Sequence, residues 1–452
     1  MEPQTADRAW KGRVALLLTG QAFSLLGSSI VQYAIWWWIV LQEQTGSALL
    51  MATLFGVLPQ GIVSIFGGSW ADRHNRKTLI MLPDLIIAGV TVLLSVAFAS
   101  GWASLAFIFV VLLIRSAGAG VQSPAVQSFI PDVTPPGKLL RVNSIFSVIN
   151  SANMIVAPAV AAVLINVVPL WSILLVDVTT AVIGVGFVAM ITVPRRTGES
   201  PVPKVVAGAD AETGAASGGN AGGPVSLRAS VDRTIGDLKA GLRYVMGRPR
   251  LRSTILADAT VCLISVAPMN LTLLLMAREY EGVDLNLWFV NLTTASDKLA
   301  ANELGWSIGM LLGGAIMSTI GARLIRNPMR VAAWGIAFYA VTVVGLGVAP
   351  GLLAYLVIDV LNGVASAVCV GPLRTVLQSE SDESMVGRVF GLDTTMATFA
   401  MPIGMALFAP LADVIPIVVI FVVCGAATLP VGVWLNVQER RTSAAGRERR
   451  VA

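Results

Sequence analysis

The amino-acid sequence predicts an all-α membrane protein of twelve transmembrane helices, built as two six-helix pseudo-repeats. Of its 452 residues, 55% are hydrophobic and 13% charged, whereas soluble proteins carry charge on about a quarter of their residues. Mean hydropathy is +0.77. Twelve apolar runs, each near the ~20 residues that cross a hydrocarbon core, divide six and six around a polar centre. The two sets echo each other: GVQSPAVQS leads to LLRVNS, and CVGPLRTVLQS leads to VGRVFG. Pro124 and Arg141 recur as Pro372 and Arg388, at offsets of 248 and 247 residues, which points to an internal duplication.

The first run, 14–41, follows Arg8, Lys11 and Arg13 but is too long for a signal peptide and lacks a small-residue cleavage site, so it is read as a mature helix. Trp36, Trp37 and Trp38 near its outer end suit an aromatic belt. Runs at 47–70, 78–99, 103–125, 143–165 and 170–193 complete an N-terminal bundle over residues 1–194. Residues 195–250 form a cytoplasmic linker, of which 206–223, VAGADAETGAASGGNAGG, has the composition of a flexible connection. Later in the linker Ile235, Leu238, Leu242 and Val245 fall at helical spacing opposite Asp232, Arg233, Asp237, Lys239 and Arg243, an amphipathic helix expected on the inner membrane surface. The C-terminal bundle, 251–438, has runs at 251–277, 303–324, 329–349, 351–378, 388–410 and 413–437, and 439–452 is a basic cytoplasmic tail. Gly305, Gly309 and Gly313 make two G-x-x-x-G steps, read as close helix packing. Pro59, Pro83, Pro124, Pro158, Pro268, Pro372 and Pro402 sit inside spans, where neighbours or water must meet the lost backbone hydrogen bonds.

Orientation follows from the basic residues. With the N-terminus inside, 28 of 31 lysines and arginines fall on the cytoplasmic side, Arg278 and Lys298 fall outside, and Arg115 lies within a span. Both termini are therefore expected in the cytoplasm. The net charge of +5 reflects this topology and attraction to anionic inner-leaflet lipid, and no basic patch with interleaved aromatics suggests nucleic acid. Cys262, Cys369 and Cys424 lie inside spans without a C-x-x-C pair and read as packing residues. His74 is the only histidine, so neither a histidine-based catalytic triad nor a metal cluster is expected.

The loop between the second and third spans reads GGSWADRHNRK, residues 67–77. Topology accounts for its bases but not for a placed aspartate, since acidic residues add nothing to the orientation signal. Its G-x-x-x-D-R-x-x-R-K pattern resembles the signature loop of the major facilitator superfamily. The resemblance implies the major facilitator fold and a cytoplasmic latch. In that latch Gly68 allows tight packing, Asp72 docks on a neighbouring helix end, and Arg73, Arg76 and Lys77 donate. Asn75 stands where that family has glycine, and asparagine is the next most tolerant of left-handed backbone. IRSAGAGVQSP, opening an R-x-x-G pattern at Arg115, resembles the fourth-helix motif of proton-coupled members. NSANMIVAPAVAAVL resembles a degraded antiporter motif, with Ala157, Pro158, Ala161 and Ala162 in place. The whole chain is similar to the bacterial macrolide-efflux branch, which implies a multi-pass protein of the cytoplasmic (inner) membrane.

An arginine near mid-span costs ~2.5–3.5 kcal/mol, so Arg115 requires compensation. Gly118 and Gln122 share its face, consistent with a polar stripe along a cavity. The resemblance makes helices one, four, seven and ten cavity-lining, which places Arg115, Asp258 and Asp359 on lining helices; Asp177 lies in helix six, usually a supporting helix, but the macrolide-efflux resemblance includes an aspartate in LLVDVTTAV, so coupling is assigned to all four, and Gln32, Gln122, Asn270 and Asn362 are substrate-binding candidates. Asp84 and Asp393, which follow cytoplasmic loops closely, are assigned to the latch or its receiving helix. The expected function is export of amphipathic, macrolide-like drugs in exchange for protons by alternating access, by a monomer with no cofactor beyond the proton gradient and no catalytic residue. Export of an endogenous siderophore or lipid is the alternative within transport. A non-transporting sensor or a membrane-embedded enzyme is the alternative of another class.

Overall fold

The computed structural model describes residues 3–192, 227–287, 290–319, 327–382 and 385–451. Helices α1 (Pro3–Glu43), α2 (Gly46–Arg73), α3 (Arg76–Ala99) and α4 (Leu105–Val133) come first. A short 3-10 turn, Pro136–Lys138, leads to α5 (Leu139–Val167) and α6 (Leu170–Met190). Then come α7 (Leu227–Met246), α8 (Pro249–Arg278), strands β1 (Leu285–Leu287) and β2 (Val290–Leu292), and α9 (Ala295–Thr319). The final helices, α10 to α13, are Pro328–Gly347, Leu352–Ser379, Val386–Leu411 and Ile417–Val451. Among the described residues eleven helices are long and apolar enough to cross a membrane, namely α1–α6, α8 and α10–α13. The protein is an all-α membrane protein. The expected eighth span is helical from Ala295, eight residues earlier than hydropathy suggested, because α9 opens on the polar stretch ASDKLAANE. The antiparallel hairpin, with Leu285 opposite Leu292, was not expected from the sequence.

Helix starts follow side-chain chemistry. Thr45 and Ser104 hydroxyls accept from the amides of Ala48 and Phe107, both at 3.3 Å, opening α2 and α4. Asn327 does the same for Arg330 at 3.3 Å, with Pro328 in the first turn of α10. Asn75 caps α3 by accepting from Lys77 N at 3.0 Å, with φ −63° and ψ 111°. The left-handed turn expected at Asn75 is therefore absent: the residue suits its position by its side-chain oxygen, not by tolerance of positive φ.

The chain packs as two compact units, Met1–Glu199 with Met276–Leu304, and Ser200–Leu275 with Gly305–Ala452. In the first, α1 lies against α5 and α6, α2 against α4, and α3 against α4 and α6. Lipid offers no hydrophobic drive for helix association, so close backbone approach matters. Gly20 and Gly184 provide it: a Cβ at either would lie 3.1 or 3.0 Å from the other's carbonyl oxygen. Leu17, Ile80, Phe129 and Val188 join α1, α3, α4 and α6 in one buried cluster. Trp37 is fully buried and Trp38 meets Phe98 edge-on with centroids 4.9 Å apart, so Trp37 has no place in a membrane-interface belt.

In the second unit α10 packs along α11 and α13. The glycine steps of α9 serve its contact with α11, where a Cβ at Gly313 would lie 2.8 Å from both Ala367 Cβ and Val364 O. Helix α7 is amphipathic as expected but does not present its apolar face to a membrane surface. Leu238 and Val245 pack with Leu251, Ile255, Leu377 and Val389 from α8, α11 and α12, leaving Leu242 exposed. The side chain of Ile235 lies outside the described residues.

Candidate functional site

The side chains of Gly68, Asp72 and Arg73 lie outside the described residues. The rest of the loop is anchored. Arg76, at the first position of α3, donates from Nη1 to both carboxylate oxygens of Asp132 at 2.8 and 2.7 Å and to Ser128 O at 3.0 Å, reaching the end of α4. Lys77 Nζ donates to Ala189 O at 2.6 Å and Ile191 O at 3.1 Å, at the end of α6. A cation there meets carbonyls that have no intrahelical partner and the negative end of the helix dipole. Two bases of one loop thus tie α3 to the ends of α4 and α6. His74 is exposed.

Deeper in the first unit four helices converge on one ion pair. Arg115 on α4 pairs through Nη1 with Asp177 on α6; both are almost wholly buried, with side chains 4% and 1% exposed. The same nitrogen donates to Thr91 Oγ1 on α3 at 2.5 Å, and Nη2 donates to Ser28 O on α1 at 3.2 Å. Ser28 Oγ and Thr91 Oγ1 in turn donate to Asp177, at 2.7 and 3.3 Å. Arg115 Nε has no partner.

Asp84 is also buried in this bundle, accepting from Ser24 of α1 at 3.0 Å and Gln122 of α4 at 2.8 Å. Its assignment to the latch is thereby corrected. At 1.5 Å per residue it stands about 12 Å along α3 from Arg76, out of reach of the loop. The polar stripe expected along α4 also divides. Arg115 faces Asp177, Gln122 faces Asp84, and a Cβ on Gly118 would meet Ile87 Cδ1 of α3 at 3.0 Å. All three positions point into the bundle.

In the second unit the Asp258 carboxyl of α8 lies within hydrogen-bond reach of Asp393 on α12, with Arg374 of α11 in electrostatic range and Cys262 Sγ 3.9 Å from Asp258 Oδ2. Asp393 thus belongs to a helix-interior carboxyl pair, not to a loop latch. Asp359 of α11 is buried next to Gly305 of α9, where a Cβ would lie 3.4 Å from its Oδ2. Asn362 donates to Thr342 Oγ1 of α10 at 3.0 Å, while Asn270 donates to Val266 O in its own helix at 3.0 Å. Of the four substrate-binding candidates, Gln32 alone has its side-chain nitrogen without a partner.

Sequence reasoning missed the partners more than the charges. Asp132 closes the fourth span in FIPDV and could have been matched to the latch bases, but Thr91 and Ser28 carry no signal that separates them from other intramembrane hydroxyls. Also unforeseen is a network joining α8, α11, α13 and the start of α10. Arg250 reaches Glu380 at 2.8 Å and the buried Glu439 at 3.1 Å, Asn327 donates to Glu439 at 2.7 Å, and Arg248 meets Asp382 at 2.6 Å. Among the described residues no three His, Cys, Asp or Glu side chains gather as metal ligands.

Over 408 residues the chain is 27% identical to Macrolide efflux protein A of Streptococcus pyogenes, covering 89% of this chain and 90% of that protein. It is 26% identical over 413 residues to Multidrug efflux pump Tap of Mycobacterium tuberculosis, covering 86% and 83%. Among solved structures, a bacterial homologue of the human lysosomal transporter Spinster, in an inward-facing and unoccupied conformation, shares the fold with a TM-score of 0.63 at 14% identity, over 97% of this chain and 96% of that one. The family model of the Major Facilitator Superfamily matches residues 17–325. With helices of this length and number, this loop and this match over most of its length, the chain belongs to the Major Facilitator Superfamily of membrane transporters.

Proposed function

We propose that this transporter is a monomeric, proton-coupled exporter of amphipathic, macrolide-like drugs in the bacterial cytoplasmic membrane, with both termini inside, working by alternating access. Relatives named for macrolide and multidrug efflux support the substrate class. The observation that carries coupling is the Arg115–Asp177 pair, through which four helices share one buried charge balance. A proton reaching Asp177 cancels its charge and frees Arg115 from α6, while Thr91 and Ser28 O still hold the guanidinium on α3 and α1. The grip between α4 and α6 is thereby exchanged for a proton. Asp258 and Asp393 form a second acceptor: carboxylates have no donor of their own, so a hydrogen bond between them requires one proton in the pair. The loop bases Arg76 and Lys77, with Asp72, latch the inner ends of α4 and α6 during the outward-facing part of the cycle. Each positive charge moving inward contributes ~2.3 kcal/mol per 100 mV, so the gradient suffices without nucleotide or cofactor.

The test is erythromycin accumulation in inverted vesicles carrying the protein, with and without an imposed pH gradient, alongside growth protection in a host stripped of its own pumps. Gradient-dependent accumulation is expected. Accumulation indifferent to the gradient would remove proton coupling, and no protection against any macrolide would remove the substrate class.

A further inference from the structure

The buried polar groups of the first unit fall into two layers. Ser24 of α1 and Gln122 of α4 meet Asp84 of α3, while Ser28 of α1, Thr91 of α3 and Arg115 of α4 meet Asp177 of α6. Ser24 and Ser28 are one turn apart and share a face of α1, and Asp84 stands about 10 Å along α3 from Thr91 at 1.5 Å per residue. The layers differ in how their carboxyls are served. Asp177 accepts on both oxygens, from Ser28 Oγ at Oδ1 and from Thr91 Oγ1 and the Arg115 guanidinium at Oδ2, as suits a carboxylate. Asp84 takes both donors on one oxygen: Ser24 Oγ and Gln122 Nε2 donate to Oδ1 at 3.0 and 2.8 Å, and among the described residues nothing donates to Oδ2. A neutral carboxylic acid presents that one-sided pattern, with Oδ1 its carbonyl oxygen and Oδ2 its hydroxyl.

Charge balance points the same way. Asp84 is 2% exposed and both of its partners are neutral. Of the charged groups on the helices around it, Arg115 and Asp177 answer each other, Asp132 at the end of α4 answers Arg76, and Lys77 is held by carbonyls at the end of α6. Among the described side chains α2 carries no charge, and α1 carries only Lys11, Arg13 and Glu43, each ~16 Å or more along the helix from Ser24. An ionised Asp84 would leave this layer one negative charge in excess, and a buried carboxylate without a countercharge takes up a proton instead.

We infer that Asp84 is a proton-binding residue, occupied in this conformation, and that a proton passes to it from Asp177 along α1, which touches both carboxyls through Ser24 and Ser28. This rests on the proton-coupled reading and adds a station to it. With the Arg115–Asp177 pair closed, Asp177 is ionised and Asp84 holds a proton on Oδ2. Asp84 lies nearer the loop end of α3, so in the proposed orientation it releases that proton to cytoplasmic water and becomes a carboxylate. A proton arriving from outside then neutralises Asp177 and opens the pair. Its transfer to Asp84 restores the acid there and the carboxylate at Asp177, and the pair closes again.

The test is infrared spectroscopy of the purified full chain in nanodiscs at neutral pH, without substrate or gradient, reading the C=O stretch that protonated carboxyls have and carboxylates lack. Asp84→Asn is expected to remove one such band from the parent spectrum, distinct from the band of the Asp258 and Asp393 carboxyls that Asp393→Asn identifies. Ser24→Ala takes one donor from Oδ1 and should move the same band to higher frequency. A merely structural Asp84 would not give that shift, which is readable even if Asp84→Asn fails to fold. In inverted vesicles at matched abundance, Asp84→Asn should lose erythromycin accumulation driven by pH while keeping exchange down a substrate gradient. No spectral difference between Asp84→Asn and the parent, no band moved by Ser24→Ala, or full gradient-driven accumulation by Asp84→Asn would each overturn the inference. Because the spectra need no gradient, an Asp84 band in a chain that accumulates nothing sinks only the transport reading. Gradient-driven accumulation by a parent that lacks the band sinks only this site.

Discussion

Replacing Asp177 by asparagine removes the negative charge paired with Arg115 and keeps one acceptor oxygen where Ser28 and Thr91 now use two. The guanidinium is then left charged at 4% exposure, with one hydroxyl and one backbone carbonyl as its remaining partners. Breaking a buried pair from one side costs about 3–5 kcal/mol, whereas each neutral hydrogen bond that survives is worth about 1 kcal/mol. Asp177→Asn should therefore lower unfolding free energy by about 3 kcal/mol or more, and Arg115→Gln, which strands the carboxylate instead, by a similar amount. The double variant has no buried charge to strand. Its cost should fall short of the sum of the single costs by about 3 kcal/mol, a coupling large for residues in contact. Reversible unfolding of detergent-solubilised protein in urea, fitted for all four members of the cycle, measures this term. If the two costs simply add, Arg115 is neutralised some other way and the charge balance assigned to the pair is wrong.

Asp132→Asn should cost at most about 1 kcal/mol of stability, because the Arg76–Asp132 pair is 31% and 27% exposed. It should nevertheless cut transport severely, as should Asp72→Asn, when rates are compared at matched membrane abundance; unchanged rates in both would remove the latch. Gly313→Val drives a branched side chain into Ala367 and Val364 of α11, so folded yield and thermal stability should drop, with a cost of about 1–3 kcal/mol or more; size-exclusion recovery after heating reads this directly. Among Asp177, Asp258 and Asp359, asparagine should mimic the protonated form in at least one case. That variant should keep exchange down a substrate gradient but lose accumulation driven by pH, and full gradient dependence in all three inverted-vesicle preparations would refute this assignment.

The duplication explains why the two halves do not offer equivalent sites. The offset of 248 residues that carries Pro124 onto Pro372 carries Arg115 onto Gly363, and the offset of 247 that carries Arg141 onto Arg388 carries Asp177 onto Cys424, so the second repeat has no charge at either position where the first has an ion pair. The carboxyls of the second unit meet elsewhere, between α8 and α12. The distribution of charge between repeats is written in the chain; the pairing is not.

Hydropathy and loop charge were enough to read a membrane protein of two related halves, because crossing ~30 Å of hydrocarbon demands long apolar runs whatever their neighbours are. The same constraint made Arg115 and the intramembrane aspartates conspicuous from composition alone, since each must find a partner in a medium that offers none. Which partner it finds depends on helix rotation. Arg115 and Gln122 lie on one face of α4 by spacing, yet one meets Asp177 and the other Asp84. Periodicity orders residues around a helix axis but does not state which neighbouring helix each meets, and a few tens of degrees of rotation exchange one partner for another. Helices α1 and α6 approach closely enough for Ser28 and Asp177 to bond because Gly20 and Gly184 bring the two backbones together. That contact joins positions 149 residues apart in the chain, and only the packed bundle brings them within hydrogen-bond reach.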